Sequence, residues 1–128
     1  MSEENVQIAQ HVLEACASGN LDAALAHADP EIVWNPTQEG QVEGLTAVRA
    51  TMERWEDSFE NLVVTYEESI DAGDRVVLKT HVTGCGRESG VEVEDRTYMV
   101  WSLRRGKVLR MDEFTERADA LEAAGLRE

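Results

Sequence analysis

Thr97–Phe114 reads TYMVWSLRRGKVLRMDEF. Its two flanks, within the runs Val91–Leu103 and Lys107–Phe114, are rich in β-branched, aromatic and other apolar residues. Arg104-Arg105-Gly106 interrupts them with a turn signal, so the stretch predicts the last hairpin of an antiparallel sheet. Which side chains share a face depends on the turn. A two-residue turn at Arg105-Gly106 sets Arg104 against Lys107 and pairs Trp101 with Arg110 and Met99 with Asp112. Trp101, Arg110, Asp112 and Phe114 then lie together. A three-residue turn sends Leu109, Met111 and Glu113 inward instead. Spacing leaves both registers open.

Upstream of the hairpin, Leu62–Ile70 and Arg75–Gly84 have the same strand character, divided by turn signals at 71–74 and 84–90. Before them the periodicity changes. Leu45, Val48, Met52, Trp55 and Phe59 recur at three- and four-residue intervals, one stripe of a helix starting near Thr46. Val6, Ala9, Leu13 and Cys16 mark an earlier helix that Gly19 stops, and Asn20 caps a second one with Leu21, Ala24, Leu25 and Ala28 inside. Pro30 is expected to end that second helix, Glu31–Asn35 reads as a short strand closed by Pro36, and Thr37–Gly44 as a loop. The tail 115–125 reads as a helical turn stopped by Gly125. The order predicts an α+β fold, with three N-terminal helices on one face of a curved, mostly antiparallel sheet.

A chain of 128 residues fits one domain, 1–128. Its 42% hydrophobic and 30% charged residues are ordinary for a globular protein, and no apolar run nears the roughly 20 residues of a membrane span. The acidic N-terminus MSEENVQIAQ argues against a secretory signal, so a cytoplasmic location is expected. A net charge of −14 with scattered Lys and Arg disfavours nucleic acid as a partner. Cys16 and Cys85, the second in an expected loop, lack the spacing of a metal knuckle, and His11, His27 and His81 lack that of a ligand set. No metal or cofactor is expected.

Periodicity places Trp34, Trp55 and Trp101 inside, as core or as the floor of a flat ligand pocket. Asp95 continues the inward register of Val91, Val93, Thr97 and Met99; a carboxylate there finds a donor or marks the polar mouth of a cavity. Lys79 and His81 alternate onto the other face. Asn35, in the string VWNP, is a polar residue at a strand end that either enters a cavity wall or caps the Asn-Pro turn.

The strings ASGNLDAAL, ADPEIVWNP, EGLTAVRA, AGDRVVL, VWSLRRGKVLR and ALEAAGL, in this order, resemble the SnoaL-like proteins of the nuclear transport factor 2-like superfamily. The resemblance implies a cone whose mouth opens between sheet and helices onto an apolar cavity, and a homodimer formed through the outer sheet face. The superfamily includes ketosteroid isomerases, polyketide cyclases, epoxide hydrolases and non-enzymatic binding domains, so the fold does not choose among them. Matching to the isomerases puts Val12, Asn35 and Met99 where the isomerase tyrosine, basic aspartate and protonated aspartate would be. None of the three supplies that chemistry. SnoaL-like cyclases use an aspartate on the final strand, which makes Asp112 the catalytic candidate, with Arg110 holding it ionised. Asp95, Arg110 and Asp112 also supply the residue types of the epoxide hydrolase set.

The expected function is binding of a small apolar or aromatic molecule by Trp34, Asn35, Trp55, Asp95, Met99 and Trp101. The alternatives are a cyclase-like or hydrolase-like enzyme using Asp112, and a dimeric scaffold without ligand.

Overall fold

The computed structural model describes residues 2–37 and 40–126. Helix α1, Ser2–Ala17, buries Ala9, Val12, Leu13 and Ala15, so its apolar stripe faces the core. Asn20 caps α2, Leu21–Leu25, by accepting the Ala23 N–H at 3.1 Å. Strands β1, Ala28–Asn35, and β2, Val42–Glu43, precede α3, Leu45–Ser58. The long strands β3, Phe59–Ala72, β4, Arg75–Gly86, β5, Glu92–Arg104, and β6, Lys107–Phe114, follow, and α4 spans Arg117–Ala123.

One six-stranded sheet results, in the order β2-β1-β6-β5-β4-β3, antiparallel except where β1 lies beside β6. Its inner face presents Val76 and Leu78 of β4, Met99 and Trp101 of β5 and Met111 of β6 to α1 and α3. Side chains alternate along a strand, so Val77 and Val100 point the other way. There they meet Ala120, Leu121 and Ala124 of the C-terminal helix. The arrangement is the expected α+β one, with α4 covering part of the outer face. Ladder irregularities in the β3–β4 and β5–β6 pairs bend the sheet around α1 and α3.

Several boundaries differ from the sequence expectation. Pro30 does not divide helix from strand; it sits inside β1, where the register with β6 shifts between Ala28 and Val33. A missing N–H costs nothing at such an irregularity. The 37–44 loop contains a two-residue strand, because Val42 and Glu43 pair with Trp34 and Val33. Cys85 lies in β4, paired with Glu60 and Glu92, not in a loop.

The last hairpin combines parts of both open registers. Arg105 and Gly106 have φ of 55° and 76°, the two left-handed residues of a two-residue turn, and Arg104 faces Lys107. One step further the ladder slips: Leu103 pairs with Val108 but Ser102 pairs with Arg110, which leaves Leu109 as the extra residue of a β-bulge. Beyond the bulge every side chain of β6 has changed face. Trp101 is paired with Met111 and Met99 with Glu113, not with Arg110 and Asp112.

Candidate functional site

A cavity of about 260 Å³ opens between the inner sheet face and the helices α1 and α3. Its walls are chiefly apolar: Val12, Leu13 and Cys16 from α1, Met52, Trp55 and Phe59 around α3, and Trp34, Val64, Val82, Met99, Trp101 and Met111 from the strands. The bent sheet holds these side chains apart. Trp55 stacks on Phe59 with centroids 5.6 Å apart and planes 20° from parallel, an offset contact that orients both rings in the wall. Trp101 is only 2% exposed and lies at the buried part of the wall, whereas Asp95 is exposed and marks the mouth.

Polar groups are few. The Thr80 and Thr97 hydroxyls are 2.7 Å apart and satisfy each other in the wall. Glu113 is held from two sides: Trp34 donates its indole N–H to Oε2 at 2.7 Å, and the Thr37 backbone N–H donates to Oε1 at 3.4 Å. Burial raises the pKa of this carboxyl, the two donors oppose the shift, and the charge of Asp95 adds to it; the net direction is upward. Glu56, on the α3 side, is also raised, by burial first and by Asp57 and Glu53 next. Burial, with a smaller contribution from Glu56, pushes the Cys16 thiol up to about 11. Among the described residues, three carboxyl groups thus border the cavity, and its lining contains no Lys, Arg or His.

The structure places Trp34, Trp55, Asp95, Met99 and Trp101 in this lining. It does not place Asn35, Arg110 or Asp112 there: the bulge at Leu109 reverses Arg110 and Asp112 on β6, and Asn35 on β1 alternates with the inward Trp34. Asp112 instead pairs with Asn35 across the parallel β1–β6 ladder: Asn35 Nδ2 donates to Asp112 Oδ1 at 2.6 Å, and Arg110 Nε donates to Oδ1 and Oδ2 at 3.1 and 2.9 Å. Asn35 therefore lies outside the cavity lining, with its amide turned to Asp112. The set Asp95, Arg110 and Asp112 is divided between the two sides of the sheet. Val12 and Met99, at the positions matched to isomerase donors, do line the cavity and offer it no hydrogen bond.

Glu113 and Glu56 are the inward carboxyls. Glu113 was reachable only through the register that turned Met111 inward. Glu56 lies four residues after Met52 and three before Phe59, spacing that puts it on the edge of the α3 stripe. Among the described residues, no group of three or more His, Cys, Asp and Glu is placed to hold a metal ion, and no helix is long and apolar enough to cross a membrane.

Solved structures share this architecture. A candidate SnoaL-like polyketide cyclase from Jannaschia sp. CCS1 superposes with a TM-score of 0.80 at 21% identity, over 99% of this chain and 95% of that one. AclR, a candidate hydroxylase from Streptomyces galilaeus, gives 0.78 at 19% identity over 98% of both chains. A protein with a ketosteroid isomerase-like fold from Catenulispora acidiphila, solved with trimethylamine, gives 0.77 at 16% identity over 94% and 93%. At these identities the likeness is one of fold. No curated protein matches the sequence. The model of the SnoaL-like domain matches residues 9–111, most of the cavity wall included, and the chain belongs to that family.

Proposed function

We propose that this SnoaL-like protein binds a small, largely apolar molecule between its sheet and its helices. The observation that carries the reading is the apolar cavity of about 260 Å³ with Trp34, Trp55, Phe59 and Trp101 in its walls. That volume exceeds the roughly 150 Å³ of an engineered apolar cavity that takes up benzene. Flat aromatic walls favour a ring compound. The polyketide cyclase description of the Jannaschia protein agrees with such a ligand. The test is quenching of tryptophan fluorescence by neutral naphthalene derivatives, because all three tryptophans border the cavity. Saturable quenching supports the reading, and its absence overturns it.

A second reading is catalysis by proton transfer, favoured by Glu113, a carboxyl with a raised pKa facing an apolar space. Such a group is a stronger base when ionised than a surface glutamate, and it keeps its proton to higher pH. It would take a proton from carbon next to a bound carbonyl and return one exchanged with solvent. Deuterium uptake at the α-carbons of 2-tetralone in D₂O, followed by proton NMR, tests it: uptake faster than in buffer, lost in Glu113→Gln and kept in Asp112→Asn, is the expected result.

The proposal includes a homodimer formed through the outer sheet face near Lys79 and His81, and a cytoplasmic location. Light scattering over a range of protein concentrations reads the first.

A further inference from the structure

Glu113 is held on the cavity wall by neutral donors: the Trp34 indole N–H, 2.7 Å from Oε2, and the Thr37 backbone N–H, 3.4 Å from Oε1. All three residues line the same cavity. A carboxylate offers about four acceptor positions on its two oxygens, and the bond to Oε1 is long, so that oxygen keeps capacity for a further donor. Elsewhere on the chain carboxylates have cationic partners: Asp22 has Arg49, Glu67 has Arg96 and Glu68 has Arg117. Those pairs are exposed, where a counter-ion matters least. Around the partly buried Glu113 a counter-charge matters more, and among the described residues no Lys, Arg or His lines the cavity to supply one.

The rest of the cavity favours the same sign of charge. Asp95 and Glu56 add negative charge at its border, and its aromatic walls attract a cation through the electron-rich faces of their rings. The chain as a whole, at −14, draws cations toward it. Building on the ligand-binding reading, we propose that the ligand is an organic cation, an ammonium group on an apolar ring body, whose N–H groups donate to Glu113 and bring the counter-charge that the cavity lining lacks. A hydrocarbon of the same shape fills the space and leaves Glu113 uncompensated. An anion meets repulsion. The proposal also sets a pH dependence. Glu113 is faced by Asp95 from β5 and by the N–H groups of Trp34 and Thr37, while Glu56 of α3 and Cys16 of α1 are the other ionisable groups of the described lining. The folded Glu113 pKa is raised by burial, and an ammonium prefers the ionised carboxyl, so affinity rises with pH through that pKa and levels off above it.

Four probes of one size test it by calorimetry: 2-naphthylmethylammonium, 2-ethylnaphthalene, 2-acetylnaphthalene and 2-naphthoate. The expected result is that the ammonium binds at least tenfold more tightly than either neutral probe at neutral pH, competes with 2-ethylnaphthalene for one site, and gains affinity between about pH 4 and neutrality while the hydrocarbon does not. Naphthoate binds most weakly. In Glu113→Gln the ratio of ammonium to hydrocarbon affinity falls at least fivefold, and of the pH dependence only the part due to Glu56 and Asp95 remains. In Asp112→Asn the ratio is unchanged. Should Glu113→Gln fail to fold, the pH dependence of the native protein decides: an ammonium affinity that does not change with pH overturns the proposal. Neutral probes that bind as tightly as the ammonium overturn it and leave the cavity a binding site. Ammonium that the hydrocarbon does not displace is held by the acidic surface, which also overturns it, as does a ratio unchanged in a folded Glu113→Gln. If none of the four probes binds, the ligand-binding reading falls and this one with it.

Discussion

The indole N–H of Trp34 donates to Glu113 Oε2 across 2.7 Å, a bond from β1 to β6 between residues 79 apart in sequence. It places a carboxyl on the cavity wall and fixes which of its oxygens remains for the Thr37 N–H. Three consequences can be measured on Glu113 and its neighbours.

The first concerns pH. Glu113 has a raised pKa in the folded protein, chiefly from burial, so folding takes up its proton more readily than the unfolded chain does. Stability from the protonated form is fully present below about pH 4.3, the unperturbed glutamate value, and is lost as pH rises through the folded value. Glu113→Gln cannot ionise. The melting temperature of the native protein relative to this variant is expected to fall between about pH 4 and neutrality. A difference independent of pH would place the Glu113 carboxyl in contact with bulk water.

Trp34→Phe removes the donor and keeps the ring. The Glu113 carboxyl loses a hydrogen bond that favours its charged form, so its pKa rises further and the variant loses about 1–3 kcal/mol at neutral pH. Urea unfolding at two pH values checks both parts: the loss should be smaller in acid, where Glu113 is protonated.

Asp112 provides the contrast. Its partners are Asn35 and a half-exposed Arg110 on the sheet face away from the cavity. Asp112→Ala is expected to cost about 1 kcal/mol, the net worth of an ordinary hydrogen bond, and to leave the affinity for 2-acetylnaphthalene unchanged. A tenfold loss of affinity would return Asp112 to the ligand site.

Cys16 gives a chemical reading of the interior. Burial pushes its thiol up to about 11 from the ordinary thiol value of 9.0. The shift lowers the thiolate fraction on the order of a hundredfold at neutral pH. Greater intrinsic nucleophilicity of the more basic thiolate recovers roughly tenfold. Reaction with the aryl disulfide DTNB is expected to be about tenfold slower than for an unperturbed thiol, before any further protection by burial. A Cys85→Ser variant isolates the signal.

Periodicity was enough for the parts of this molecule that bury a stripe or alternate faces. The stripe from Leu45 to Phe59 and the alternation along β4 and β5 could be read directly, because both periods are set by backbone geometry that tertiary contacts do not alter. Trp34, Trp55 and Trp101 followed from the same periods. The fate of Asn35 and Asp112 did not, since it depends on the match between two strands far apart in sequence, β1 and β6, and on a bulge. Leu109 carries no glycine or other local mark of an extra residue. Pro30 misled in the opposite way: as a helix stop it has a local meaning, and only the irregular β1–β6 ladder shows why a strand tolerates it.

Leu109 also governs how this chain can be compared with its kin. A side chain supplied by β6 is assigned to the interior or the exterior by parity, and one surplus residue inverts that parity for everything downstream. Column-by-column matching of the final strand to a homologue with an uninterrupted ladder would put Asp112 at the cavity wall and overlook Glu113, although the two are adjacent in the chain. Insertions and deletions of a single residue in this hairpin therefore change which carboxyl faces the cavity, even where every amino acid near it is retained.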